Sequence, residues 1–147
     1  MNVVLLHGLF RRPRSMSKLA AALRARGHAV HPIGYPSMTS PYRELVRHVA
    51  HELREMRLDG AAGLVAFACH SLGGLLWRDL GEELEGFVSG PCVLFGTPLR
   101  GSIVARSVDG ELAHRVLGPA IGELAAERDD EPRYPGPFAT VICTRWS

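Results

Sequence analysis

One stretch constrains the fold more than any other: an apolar run that stops at a serine and continues as a helix. Residues 64–69 read Leu-Val-Ala-Phe-Ala-Cys, which is typical of a buried strand in a parallel sheet. His70 and Ser71 form a predicted tight turn, and residues 72–84 carry leucines at helical spacing. A strand, a Ser-x-Gly turn and a helix in that order predict that the Ser71 hydroxyl stands above the carboxyl end of the strand.

The rest of the chain also alternates between short apolar runs and helical stretches. The other predicted strands are residues 3–6, 29–33, 92–95 and 138–143. The other predicted helices are residues 16–23, capped by Ser15, and 41–56, with Pro41 at the first position. This pattern predicts an α/β fold, a three-layer, open, mostly parallel sheet with helices on both faces.

The length of 147 residues predicts a single domain, 1–147, in which 99–137 is a candidate lid or cap-like insertion. Apolar residues in that segment are candidates for a lid or an acyl pocket, and an ordinary core helix is the alternative. No segment has the roughly 20 apolar residues of a membrane span, and the start of the chain does not resemble a signal peptide. We therefore expect a cytoplasmic protein.

The charge and the cysteines exclude several classes of function. The net charge is only +2, and no basic cluster interleaves with aromatic residues, so nucleic acid is not an expected partner. The arginines between residues 11 and 14 indicate a solvated loop, with an anion or partner site as the alternative. Three cysteines without metal-ligand spacing predict free buried thiols, no metal and no cofactor. They are Cys69, Cys92 and Cys143.

Three predicted strands end in loops that are rich in small or polar residues. These loops are His7-Gly8-Leu9, His70-Ser71-Leu72 and Gly96-Thr97-Pro98. Binding sites in open parallel sheets form at the carboxyl ends of the strands. If the strands are parallel, these loops converge on one edge of the sheet and form a candidate active site.

Ser71 is the candidate nucleophile of that site. The sharp turn directs the backbone N–H of Leu72 toward the place where an oxyanion would form, and the helix N-terminus adds partial positive charge. The strained turn requires small neighbours two positions away, which Gly73 satisfies. Cys69, on the other side, is interpreted as a buried thiol. A role as an alternative nucleophile is much less favoured, because Cys69 lies at the end of a predicted buried strand and has no obvious base.

These motifs resemble the α/β-hydrolase superfamily, in particular compact bacterial lipase- and esterase-like members. Residues 3–9 resemble the first-strand oxyanion motif, residues 70–74 the nucleophile elbow, and residues 96–102 the loop after the next strand. The resemblance implies hydrolysis of a small-molecule or lipid ester through an acyl-serine intermediate. It also implies that the backbone N–H of Leu9 is the second oxyanion donor, with Gly8 in support. Cys69 stands where the family usually has glycine.

Two histidines near the predicted site invite a catalytic interpretation. His7 precedes the oxyanion loop and is predicted to brace it by hydrogen bonds, with proton transfer as the alternative. His70 is adjacent to Ser71, but neighbouring side chains in such a turn diverge, so we expect a packing residue.

A triad acid and a triad histidine are not evident after Ser71. In the resembled fold the order along the chain is serine, acid, histidine. His114 is the only histidine after Ser71 and is a weak candidate base. The acids that would fit the order before it are Asp109 and Glu111, and they lie too close to His114 in sequence for the usual two-loop arrangement. The expectation is a C-terminally truncated chain that lacks the acid and the histidine and whose hydrolysis is impaired.

Two alternatives to a hydrolase stay open. A non-catalytic relative or ligand-binding protein would fit the missing acid and base. An acyltransferase of the same fold is not separable by sequence, because an alcohol and water compete for the same acyl-enzyme. A nucleotide-binding protein is disfavoured, since neither phosphate-binding glycine pattern is present. The oligomeric state is left open.

Overall fold

The computed structural model describes residues 1–60, 63–99 and 134–141, and these form one parallel sheet with helices on both faces. The strands are β1 (Asn2–Leu6), β2 (Ala29–Ile33), β3 (Ala66–His70), β4 (Cys92–Phe95) and β5 (Phe138–Val141). The helices are α1 (Ser17–Arg24), α2 (Tyr42–Glu55) and α3 (Leu72–Glu83), with a short 3₁₀ turn at Pro13–Met16. The sheet order is β2-β1-β3-β4-β5, and every pairing is parallel. The predicted fold class is confirmed.

Burial on both faces explains why the central strands are apolar throughout. On β1, Val3 and Leu5 face the cluster that includes Met16 and Ala20 from the α1 side. Val4 and Leu6 face the opposite cluster, which contains the apolar residues of α2 and α3. Side chains of a strand alternate between faces, so a strand covered on both sides needs apolar residues at every position.

Helix α3, which carries the predicted turn at its start, is fixed to its neighbours by polar contacts as well as apolar ones. The Tyr42 hydroxyl of α2 donates to the buried Asp79 carboxylate of α3 at 2.7 Å. Within α3, Arg78 Nε donates to the same carboxylate at 2.6 Å. Trp77 Nε1 donates to the Ser89 hydroxyl at 3.1 Å. No helix in the described part of the chain has the length and hydrophobicity of a membrane span.

Several predicted boundaries differ from the structure. Ser15 does not cap α1, because its hydroxyl donates to the Arg12 carbonyl at 2.8 Å within the 3₁₀ turn. Pro41 precedes α2 and is not its first residue. Strand β3 begins at Ala66, and Leu64 is 64% exposed. Most of the candidate insertion and the end of the fifth predicted strand lie outside the described residues.

Candidate active site

Ser71 occupies a strained turn between β3 and α3. Its backbone has φ 50° and ψ −115°, a left-handed conformation that is costly for a residue with a side chain. The end of β4 holds it there, since the Ser71 N–H donates to the Phe95 carbonyl at 2.9 Å. The Ser71 carbonyl accepts from the Gly74 N–H at 3.0 Å and from Thr97 Oγ1 at 3.1 Å. The sharp turn predicted from the sequence is confirmed.

The first turn of α3 lies directly against the end of β1 and the loop after β4. A Cβ atom built on Gly73 would lie 2.4 Å from the Leu6 carbonyl oxygen, and one on Gly74 would lie 2.2 Å from Thr97 Oγ1. Real Cβ atoms essentially never come so close to another heavy atom. Position 73 therefore has no room for a larger side chain next to the end of β1.

The loop that follows β1 lies beside Ser71. A Cβ atom on Gly8 would be 3.3 Å from Ser71 Cβ and 2.6 Å from His70 Nδ1. Gly8 begins a tight turn in which the Arg11 N–H donates to the Gly8 carbonyl at 3.2 Å, and Phe10 has a φ of 57°. Together with the contacts of Thr97, this shows that the three predicted loops converge at one edge of the sheet.

The two predicted oxyanion donors are backbone amides of loops at this edge. Leu72 is the first residue of α3, where an N–H has no partner within the helix. Among the described residues, neither the Leu72 N–H nor the Leu9 N–H donates to a backbone carbonyl. Leu72 is buried and Leu9 is half-buried. The two predicted oxyanion donors therefore keep the hydrogen-bonding capacity that this role requires.

His7 is buried behind the loop and contacts it directly. Its Nδ1 atom lies 2.9 Å from the Gly8 carbonyl oxygen, and its ring stacks on that of Tyr35 with centroids 4.0 Å apart. The Tyr35 hydroxyl donates to the His7 carbonyl. The pKa of His7 is lowered, mainly by burial. The hydrogen bond with the Gly8 carbonyl raises the pKa in part, and the nearby His70 lowers it further. Sequence analysis missed Tyr35, although its place just after β2, next to β1, is the signal that could have identified it.

His70 is exposed, and its ring lies over Gly8. His70 therefore packs against the loop of residues 7–9 and not in the core. Partial burial, followed by the charge of Arg11, lowers the pKa of His70.

Cys69, the residue before His70, is fully buried, and Cys92 Sγ lies 3.8 Å from its Sγ. Burial and the Cys92 contact raise the pKa of the Cys69 thiol. A protonated buried thiol is a poor nucleophile, which favours the interpretation as a structural residue.

The Ser71 hydroxyl forms no hydrogen bond with a histidine or a carboxylate within the residues that the structure describes. The candidate base His114 and the acids Asp109 and Glu111 lie outside those residues. Within the described ranges, no three metal-ligating side chains come together.

The comparisons with known proteins bear on the fold of the chain. No family model matches the chain, and no curated protein matches it either. Solved structures that resemble it include the mature lipase BlEst2 of Bacillus licheniformis, with a TM-score of 0.67, 20% identity, and coverage of 84% of this chain and 54% of that one. The phospholipase PlaB of Legionella pneumophila has a TM-score of 0.69, 16% identity, and coverage of 84% and 32%.

A third similar structure is the type II thioesterase BorB from the borrelidin biosynthetic cluster, with a TM-score of 0.64 and 16% identity. It is covered more completely, with 97% of this chain and 83% of that one. The chain spans about half the length of the lipase BlEst2. At these identities the likeness establishes the architecture: the chain has the α/β-hydrolase fold.

Proposed function

We propose that this chain is a serine hydrolase of the lipase and esterase type that cleaves carboxylic esters through an acyl-serine intermediate. One observation carries the proposal. Ser71 sits at φ 50° on a turn above β3, beside a second loop whose Leu9 amide, like that of Leu72, has no backbone acceptor among the described residues. Acyl transfer requires a nucleophile and preorganised amide donors for the developing oxyanion, and these residues are the candidates for both.

The reaction follows from that arrangement. Ser71 Oγ attacks the acyl carbonyl carbon, a C–O bond forms, and the π electron pair moves to the carbonyl oxygen. The resulting oxyanion accepts hydrogen bonds from the Leu9 and Leu72 N–H groups. Its collapse breaks the ester bond, and the leaving alcohol takes up the proton lost by the serine. Water then attacks the acyl-serine, which releases the acid and restores the hydroxyl.

The substrate class is a carboxylic ester of a small molecule or a lipid. The proteins of similar structure are called a lipase, a phospholipase and a thioesterase, and an acyl carbonyl is the group that such reactions share. The half-buried Leu9 side chain belongs to the predicted oxyanion loop, and the exposed Phe10 ring follows it directly. They offer apolar contact to an acyl or alcohol group at the entrance of the site.

We expect slow turnover, because the described residues supply the nucleophile and the oxyanion donors but no base bonded to Ser71. A serine hydrolase that loses its triad retains about 10³–10⁴-fold catalysis over water from the oxyanion hole and binding. His114 is the candidate base outside the described residues, and a His114→Ala variant measures its share.

Two assays on the purified chain test the proposal. Wild type should hydrolyse p-nitrophenyl butyrate above the buffer rate, and a fluorophosphonate probe should add one mass equivalent at Ser71. In that labelling Oγ bonds to phosphorus, fluoride leaves, and the hydroxyl proton passes to solvent. Ser71→Ala should abolish both signals, whereas Ser15→Ala, at an exposed serine, should leave both unchanged.

Failure of wild type to label would refute the proposal and would favour the alternative of a non-catalytic, ligand-binding relative. Labelling that survives Ser71→Ala would place the reactive group elsewhere in the chain.

A further inference from the structure

The two oxyanion donors belong to peptides whose carbonyl oxygens are held by side chains. We propose that His7 and Thr97 are positioning residues, each of which orients one donor N–H by binding the carbonyl of the same peptide group. The inference rests on the proposed function, because it concerns the geometry of that same site.

The link between carbonyl and donor is the planarity of the peptide bond. In a trans peptide the C=O and the following N–H point in opposite directions within one plane. None of the peptide bonds in the described residues is cis. Fixing the direction of the Ser71 carbonyl therefore fixes that of the Leu72 N–H, and fixing the Gly8 carbonyl fixes the Leu9 N–H.

Thr97 acts on the first of these peptides. Its hydroxyl lies 3.1 Å from the Ser71 carbonyl oxygen, and the side chain is nearly buried at 8% exposure. Its Cγ2 methyl lies 2.6 Å from the position of a Cβ on Gly74, so it is packed against the first turn of α3. The Gly74 N–H binds the same carbonyl at 3.0 Å. Two donors thus hold the Ser71 carbonyl toward β4 and α3 and leave the Leu72 N–H pointing the other way.

His7 acts on the second peptide in the same manner. A carbonyl oxygen only accepts, so the Nδ1 atom that lies 2.9 Å from the Gly8 carbonyl carries the proton. The Arg11 N–H binds that carbonyl at 3.2 Å. The Tyr35 ring stacks on the imidazole at 4.0 Å, and this contact fixes the plane of the ring that donates.

A hydroxyl-deletion series at Thr97 tests the proposal. Thr97→Val keeps the shape and removes the donor, and Thr97→Ser keeps the donor and removes the methyl. We expect Thr97→Val to slow fluorophosphonate labelling by about tenfold, a part of the roughly 10²–10³ that follows complete loss of an oxyanion donor. Its kcat for p-nitrophenyl butyrate should fall by a similar factor with KM unchanged, because the ground-state carbonyl gains little from the donor.

Thr97→Ser should recover most of the wild-type labelling rate, which a purely structural role of the side chain would not produce. His7→Phe keeps the stacking surface without a donor and should act like Thr97→Val. Because the two residues orient different donors, the double variant should label more slowly than either single variant.

The outcomes separate the inference from the proposed function. If wild type labels at Ser71 and Thr97→Val labels equally fast, the positioning role is wrong and the nucleophile stands. If Thr97→Ser is as slow as Thr97→Val and both melt at equally lowered temperatures, the residue is structural and the inference is also wrong. If wild type itself does not label, the proposed function fails and the inference fails with it.

Discussion

Replacing Gly73 with alanine should displace the start of α3 from the sheet. The new Cβ would lie 2.4 Å from the Leu6 carbonyl oxygen and 2.7 Å from both the Leu6 carbonyl carbon and the Leu6 Cβ. Two of these obstacles are main-chain atoms of the buried strand β1, which cannot rotate away. The helix must therefore move by several tenths of an ångström, and the contacts of α3 with the sheet must loosen.

The expected cost lies in the upper part of the range for overpacked sites, about 2–3 kcal/mol. For a chain of this size, each kcal/mol corresponds to about 2–4 °C in the melting temperature, so we expect a fall of about 4–12 °C. Ser71 precedes Gly73 by two residues, and the movement should also slow fluorophosphonate labelling.

Gly81→Ala is the matched control in the same helix. Gly81 is exposed, and nothing lies within 4 Å of a Cβ built there. Alanine is favoured over glycine in a helix by about 1 kcal/mol, so this variant should be more stable than wild type. Urea unfolding followed by circular dichroism compares the three proteins. A Gly73→Ala midpoint at or above the wild-type midpoint would refute the close contact between α3 and β1.

Three further predictions follow from the described contacts. Burial lowers the pKa of His7 below its usual value of 6.5, so its contribution to stability is complete above that pH and is lost as the pH falls toward the folded value. His7→Phe should therefore flatten the decline of the urea midpoint as the pH falls below about 6.5. Tyr42→Phe removes the 2.7 Å hydrogen bond to the buried Asp79 carboxylate and should lower the free energy of unfolding in urea by about 1–3 kcal/mol. An unchanged free energy of unfolding would contradict this hydrogen bond. Iodoacetamide should modify Cys69 and Cys92 only after unfolding, because both are buried; peptide mapping that finds either thiol modified in native buffer would be incompatible with that burial.

The sequence was sufficient to predict the sheet, because its strands are short apolar runs that end in recognisable turns. Residues 3–6 and 92–95 were placed within one residue of the observed strands. The strained turn at Ser71 could be predicted because few structures other than a strand-turn-helix unit fit an apolar run followed by Ser-x-Gly. The parallel arrangement of the strands then brought the three loops together.

The predicted element boundaries were wrong where a polar or an exposed apolar side chain can adopt either of two stable environments. Ser15 satisfies its hydroxyl on a preceding carbonyl instead of on a helix N–H. Leu64 continues the apolar run but precedes the strand on the surface. Neither choice can be inferred without knowing which atoms lie nearby.

The long-range contacts of the site could not be predicted in the same way. The hydroxyl of Thr97 binding the Ser71 carbonyl and the ring of Tyr35 stacking on His7 join residues far apart in sequence. Pattern reasoning identified the loops but gave no means of pairing individual atoms across them.

If Ser71 is the proposed nucleophile, the sheet order determines when during folding it becomes reactive. Strands β1 and β3 are hydrogen-bonded neighbours, although α1, β2 and α2 lie between them along the chain. An intermediate that contains only separate βα units has Ser71 without the loop after β1, which carries the proposed donor Leu9. The rate at which the fluorophosphonate probe labels Ser71 would thus report when β1 pairs with β3. In a refolding experiment this labelling should recover later than the helical circular dichroism signal.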